Sequence, residues 1–442
     1  MSVLGPYRQH LRAMDLHRRV GHVRRLQGLA VAAEGPDAAV GELCRIRVPG
    51  RTGEDGVLAE VVGLQGGEVT LMAYGSLQGI GAGAEVVALG ERSDVPVGPE
   101  LLGRVVDGFG RPLDGRPAPA TRQRRALHGA APNPMQRPRI DRVLETGVRS
   151  IDTLLTLGRG QRVGIFAGSG VGKSTLLGMI ARHVKADVNV VALIGERGRE
   201  VREFIDKQLG PQGLARSAVV VATSDQPALA RLRAAHAAVA IAAAFADDGR
   251  DVVLTMDSVT RLAMARREVG LAAGEPATAR GYTPSVFAEL PQICERCGTR
   301  PSGGSITALL TVLVEGDDFN EPVSDSLRAI LDGHVVLSRD IAQQGRYPAI
   351  DILQSASRLL PDLAGETERG LAAQMVNHLA VLQRNRQMVD IGAYKSGSNA
   401  ALDEALALEA RLQAWLRQAS GGVPRADGLR QLADILSKGK PA

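Results

Sequence analysis

Residues 164–184 read GIFAGSGVGKSTLLGMIARHV. The stretch begins as an unbroken apolar run, crosses a loop of glycines, one lysine and two hydroxyls, and ends with apolar residues at helical spacing. Such a loop cannot pack a core. Its glycines let backbone N–H groups turn inward around phosphate oxygens, and the following helix adds the positive end of its dipole. Residues 167–174, A-G-S-G-V-G-K-S, fit the relaxed phosphate-loop pattern, with Ala167 where the strict form has glycine. The chemistry requires a strand before the loop and a helix after it, and both patterns are present.

The rest of 140–360 repeats the same alternation. Apolar strands (RVGIFAG, VNVVALIG, AVVVATS, DVVLTMD, ITALLTVLV, GHVVLS) are separated by helical stretches, which predicts a parallel α/β sheet. Before it, residues 28–92 carry short β-like runs. LAEVVGL and EVTLMAY flank a hairpin signal at Gln65-Gly66-Gly67, and the spacing predicts a small β-barrel. A basic, proline-bearing link, RQRRALHGAAPNPMQRPRI, leads into the main domain. From about 366 the pattern is helical, with ALDEALALEARLQAWLRQ placing acids in its first turn. The expected class is α/β, with domains at 1–27 (a basic amphipathic segment), 28–92 (barrel), 93–365 (phosphate-loop domain on a parallel sheet) and 366–442 (helical). With 442 residues, one hydrophobic core would be too few.

Charge and cysteine usage narrow the function. The net charge of +5 is small for this length and gives no global case for nucleic acid. The basic excess is partly local: Arg8, Arg12, Arg18, Arg19, Arg24 and Arg25 face only Asp15 within 1–27. In the same segment Leu4, Tyr7, Leu11, Met14, Val20 and Val23 lie near helical spacing, which predicts a helix over 4–26. That helix either docks on its own body or meets a partner or a membrane surface. Three cysteines are too few for a disulfide framework and point to a reducing, cytoplasmic setting. No run of about 20 apolar residues suggests a membrane span. Cys294 and Cys297, in CERC, invite a zinc reading, but a structural site needs four ligands and no second pair exists.

A phosphate loop needs companions. Lys173 would reach the β- and γ-phosphates and Ser174 would ligate Mg²⁺. DVVLTMD is a buried-strand pattern ending in Asp257, suited to the metal, although Thr255 interrupts the apolar run. Hydrolysis also needs a group to orient water. Glu196 follows the strand VNVVALIG, at the strand end where ligands gather in open α/β sheets, with Arg197 and Glu200 as neighbours.

The segments FAGSGVGKST, GERGREV, MDSVTRLAMARREVGLAAGEP, GYTPSVFAELP, EGDDFNEPVSDSLRAILDGHVVLSR and YPAIDILQSASR resemble the type III protein export ATPases, and among them the flagellum-specific ATPases. These are relatives of the catalytic beta subunit of rotary ATP synthase. The resemblance runs from about 98 to 360 and implies that the phosphate-loop domain at 93–365 is a RecA-like ATPase domain. It implies that Gly168, Ser169, Gly170, Val171, Gly172, Lys173, Ser174 and Thr175 hold the nucleotide, with Ser174 and Asp257 on Mg²⁺. It further implies that Glu196 orients water, that Arg197 lies by the γ-phosphate and that Tyr347 stacks on adenine. Arg358 in SASR would be an arginine finger reaching a neighbouring subunit's nucleotide, which permits a homohexameric ring of identical active subunits.

The function so implied is a Mg-dependent ATPase that couples ATP hydrolysis to delivering and unfolding export substrates. Expected partners are other copies of the chain, a stator-like regulator at the N-terminal segment, membrane proteins of the export gate and chaperone–substrate complexes. The expected place is the cytoplasmic face of the inner membrane. Flagellar and virulence export remain alternatives. A ring-shaped RNA translocase would need aromatic platforms for bases, yet 28–92 contains only Tyr74. A non-catalytic nucleotide-binding subunit would lack Glu196.

Overall fold

The computed structural model describes residues 18–48, 56–90, 93–314, 318, 321–419 and 421–437. Six strands come first: β1 (Val20–Gln27), β2 (Ala30–Glu34), β3 (Leu43–Arg47), β4 (Gly56–Gln65), β5 (Glu68–Ala73) and β6 (Glu85–Ala88). They close into a barrel in the order β1-β2-β5-β4-β3-β6 around Val23, Val31, Ile46, Val61, Leu71 and Val86. The β4–β5 hairpin turns at Gly66 (φ 58°) and Gly67 (φ 84°), two successive left-handed residues of the kind that match strand twist.

The N-terminal expectation needs correction. Val20–Gln27 is not the end of a helix but β1, paired antiparallel with Ala30–Glu34 and with β6. Gly21 and Val23 face inward while Val20 and His22 face out, a two-residue alternation that the spaced valines had disguised as helical. The barrel therefore begins at Val20 rather than at 28. The part of the expected helix before residue 18 lies outside the described residues.

Two short pairs follow: β7 (Asp94–Val97) with β9 (Gln123–Ala126), and β10 (Val143–Leu144) with β11 (Leu157–Gly158). The main sheet consists of β8 (Arg104–Val106), β12 (Arg162–Ala167), β13 (Val188–Ile194), β14 (Ser217–Ala222), β15 (Asp251–Asp257), β16 (Gly298–Thr299), β17 (Ser305–Leu313), β18 (Gly333–Leu337) and β19 (Ile350–Ser357). Its order is β19-β18-β12-β17-β15-β13-β14-β8, parallel except for β19 at one edge and the short β16 beside β17. Every residue of β13, β14 and β15 is buried, which is why these strands read as unbroken apolar runs. The register pairs Ala167 with Leu313 and Leu193 with Asp257, so four central strands end level with one another.

Helices cover both faces: α1 (Arg149–Leu154), α2 (Lys173–His183), α3 (Gly198–Glu203), α4 (Ala228–Asp247), α5 (Val259–Ala272) and α6 (Pro284–Glu295). Three more close the chain, α7 (Glu366–Asp390), α8 (Ala400–Leu416) and α9 (Arg425–Ser437). By length and composition α4 could cross a membrane, contrary to the sequence reading, but 83% of its apolar window is buried inside the protein. Its alanines let it lie close to β13, β14 and β15. Its buried Arg233 donates to Gly108 O (3.1 Å), Ser93 Oγ (2.5 Å) and Asp94 O (2.7 Å), joining the helix to the link after the barrel.

Candidate functional site

The phosphate loop runs from the end of β12 to the start of α2. Gly170 (φ 78°) and Gly172 (φ 91°) take left-handed conformations that a side chain would strain. A Cβ on Gly172 would also come within 3.3 Å of the Tyr347 ring, so this tyrosine lies directly on the loop. Gly172 caps α2 without any side-chain hydrogen bond, which leaves the first-turn N–H groups to an anion. Gly168 and Val171 are buried, whereas Ser169, Ser174 and Thr175 are exposed.

Because β12, β17, β15 and β13 are consecutive in the sheet, their C-terminal ends bring one chemical group each to the loop. Lys173 Nζ lies 2.5 Å from Asp257 Oδ1 and 3.4 Å from Glu196 Oε1. Thr311 Oγ1 on β17 donates to the same Asp257 oxygen at 2.8 Å. The Arg261 guanidinium of α5 is 3.5 Å from Glu196 Oε1, an ion pair rather than a hydrogen bond. Asp257 and Glu196 are both buried. Burial pushes the Glu196 carboxyl above the ordinary glutamate range and neighbouring Glu200 adds to that, against the opposing pull of Lys173 and Arg261.

Glu196 is held by its backbone. Gly195 N–H donates to Ala222 O at 2.6 Å, and Glu196 O accepts from Ser224 N at 3.0 Å. Gly195 has φ 72°, and a Cβ there would sit 2.7 Å from Arg261 Cδ, so the arginine stem fills the space that a larger residue would need. Ser258 follows Asp257, caps α5 and accepts from Arg261 N at 3.3 Å.

The structure thus brings Lys173, Glu196 and Asp257 together and lays Tyr347 over the loop. It does not bring Arg197 into this cluster: its guanidinium is 78% exposed and lies 3.7 Å from Glu200. Arg358 is also exposed and away from the loop, its side chain donating to Arg328 O at 3.4 Å and its backbone N–H to Asp332 O at 3.0 Å. Arg261 and Thr311 escaped sequence reasoning. Arg261 stands four residues after Asp257, one helical turn into the element that the metal carboxylate introduces. Thr311 is a polar break in an apolar strand, the same signal that marks Thr255.

The donor set suits Mg²⁺, which takes one or two protein oxygens and leaves its other positions to water and phosphate. Asp257 offers a buried carboxylate and Ser174 an exposed hydroxyl in the first turn of α2. The CERC pair is different in kind. Cys294 and Cys297 are buried free thiols, and burial raises both, Cys297 to about 11. Among the described residues no group of three or more His, Cys, Asp or Glu is placed to hold a metal ion.

Comparison with known proteins shows the family and the fold. Residues 147–357 match the nucleotide-binding domain of the ATP synthase alpha/beta family, residues 23–90 its beta-barrel domain, and residues 364–434 the T3SS EscN ATPase C-terminal domain. The chain is 52% identical to the flagellum-specific ATP synthase of Bacillus subtilis, over 91% of this chain and 92% of that one. It is 48% identical to the type 3 secretion system ATPase of Xanthomonas euvesicatoria, over 90% and 89%. Among solved structures, the assembled ATPase EscN of enteropathogenic E. coli superposes with a TM-score of 0.89 at 41% identity, covering 94% of this chain and all of that one. EscN in complex with its central stalk EscO gives 0.86 at 40% identity, with the same coverage.

Proposed function

The chain belongs to the flagellum-specific and type III secretion ATPases of the ATP synthase alpha/beta family, and on that premise we propose that it is the ATP-hydrolysing motor of a type III export apparatus, serving flagellar export. The observation that carries the reading is the Lys173–Asp257–Glu196 cluster on level strand ends beside the phosphate loop. Flagellar export is favoured by the 52% identity to the Bacillus subtilis protein. The similar identity to a secretion ATPase keeps virulence export as the second reading.

The loop amides and Lys173 bind and orient the triphosphate. Ser174 and Asp257 would hold Mg²⁺, which would supply charge neutralisation along the phosphates. Lys173, freed from Asp257 by the incoming phosphate, turns to the β- and γ-oxygens. Glu196 then takes up the role of orienting water and accepting its proton, with Arg261 holding the same carboxylate oxygen that Lys173 approaches. Tyr347 covers the base. The exposed Arg358, too far from its own loop to act there, serves the nucleotide of an adjoining copy in a six-membered ring. The ring works at the cytoplasmic face of the inner membrane, with a stalk-like regulator, export-gate proteins and chaperone–substrate complexes as partners.

Two inactive variants test the ring. An arginine finger supplies roughly 10³–10⁵ in rate, so Arg358→Ala and Glu196→Gln proteins should each bind ATP and scarcely hydrolyse it. Mixed together they should regain partial activity that rises with protein concentration, because some interfaces pair a sound finger with a sound Glu196. Mixed rings without recovery would place Arg358 outside the chemistry. In the source cell, loss of the gene should abolish filament assembly; intact filaments with lost effector secretion would favour the second reading.

A further inference from the structure

Tyr347 sits at a junction between the sheet and the helical domain, and its neighbour Arg346 makes the connection. Arg346 is only 7% exposed. Its guanidinium donates to Ile350 O at 3.1 Å, the first residue of β19, and to Gln413 Oε1 at 3.0 Å, on α8 of the helical domain. No carboxylate lies within 4 Å of it among the described residues, although Asp351 is near enough to favour its charge, so its hydrogen bonds go to two neutral acceptors, one in each domain. Charge-assisted bonds of this kind are the strong ones. The bond to Gln413 spans a cleft of about 680 Å³ between the two domains.

A second tether lies one residue on. Tyr347 O accepts from Gln418 N at 2.9 Å, just past the end of α8. Gln418 is itself fixed: its side chain accepts from Arg149 N (2.7 Å) and donates to Gly147 O and Gly421 O (2.7 Å each). The Tyr347 ring meanwhile rests on Gly172 of the phosphate loop. A continuous path therefore runs from the loop through Tyr347 and Arg346 to α8.

We propose that Arg346 is a positioning residue for the base-binding side of the site, clamping the Tyr347 loop to the helical domain through Gln413. The inference rests on the reading of Tyr347 as the base-binding residue. It makes the grip on the nucleotide's base, but not on its phosphates, depend on how the helical domain is docked.

The test compares ATP with inorganic tripolyphosphate, which has no base, by calorimetry on the full chain. Arg346→Met and Gln413→Ala should each weaken ATP binding by about three- to tenfold, the range of a typical net hydrogen bond, and leave tripolyphosphate unchanged. Gln413→Glu, which keeps an acceptor for the guanidinium, should retain ATP affinity. The double variant Arg346→Met/Gln413→Ala should be little worse than Arg346→Met alone. Equal losses of both ligands, or no loss of either, would overturn the clamp. If Arg346→Met does not fold, Gln413→Ala decides, since it removes only the arm between domains. Tyr347→Ala separates the two levels of the argument. A selective loss of ATP upholds the base-binding reading even where the clamp fails, and no selective loss overturns both.

Discussion

Lys173, Thr311, Asp257 and Glu196 stand at the ends of adjacent strands of one sheet, whereas Tyr347 is placed by hydrogen bonds that reach into another domain. At the phosphate end Asp257 and Thr311 lie on adjacent parallel strands, while Lys173 opens α2 just after β12 and Glu196 follows β13 by two residues, so all four are carried by one sheet. At the base end the ring is 45% exposed, and its loop is held by Arg346 on one side and Gln418 on the other. With the roles proposed above, such a site would read phosphate from within one domain and the base only when two domains agree.

The sharpest way to break the comparison is at its phosphate end. Lys173→Ala removes the only cation among the described residues in contact with both Asp257 and Glu196, and two buried carboxylates are left without it. Steady-state hydrolysis should fall by roughly 10²–10³ or more, far beyond any change at Tyr347. A variant with near-normal turnover would mean that the loop is not where the phosphates sit.

An intermediate effect should appear in the pH profile. The Glu196 carboxyl is raised by burial, with Glu200 adding to it, and only its ionised form can accept a proton from water. Activity should therefore be present above the raised value and be lost as pH falls through it, at a higher pH than an ordinary glutamate would allow. Glu200→Gln removes one raising influence, so the acid limb of kcat should move to lower pH. An unmoved limb would detach Glu200 from the site. The smallest effect is expected at Thr311→Val, which deletes one hydrogen bond to Asp257 while Lys173 still holds that carboxylate. A loss of about 1 kcal/mol in denaturant unfolding is expected, with hydrolysis changed only a few-fold.

The phosphate end was legible because its parts are local. The loop announces itself within eight residues, and Asp257 and Glu196 follow apolar strands whose ends the parallel topology makes level. Arg261 was less visible, since a helical arginine near a carboxylate is ordinary until the space above Gly195 is seen to be filled by its stem. The contacts of Arg346 and Gln418 join residues far apart in sequence, and no spacing rule encodes them. Arg197, expected beside the phosphates, is turned toward Glu200, because its side chain leaves the strand end on the solvent side. At the N-terminus Val20 and Val23 fit a helical spacing, and only the ladder to Ala30–Glu34 decides for a strand.

The alanine-rich α4 has a consequence for the order of events during synthesis. The strands it covers on one side, β13 and β14, leave the ribosome before it, but β15 and β17 leave after it. For that interval a 20-residue apolar segment waits without part of its cover. Domains form as units while the chain is being made, and incompletely covered apolar surface is what chaperones bind. The nascent chain is therefore most exposed to aggregation, or to misdirection toward a lipid bilayer, between the completion of α4 and the completion of β17. A ribosome stalled in that window should carry a chaperone-bound, protease-sensitive chain, and one stalled beyond it should not.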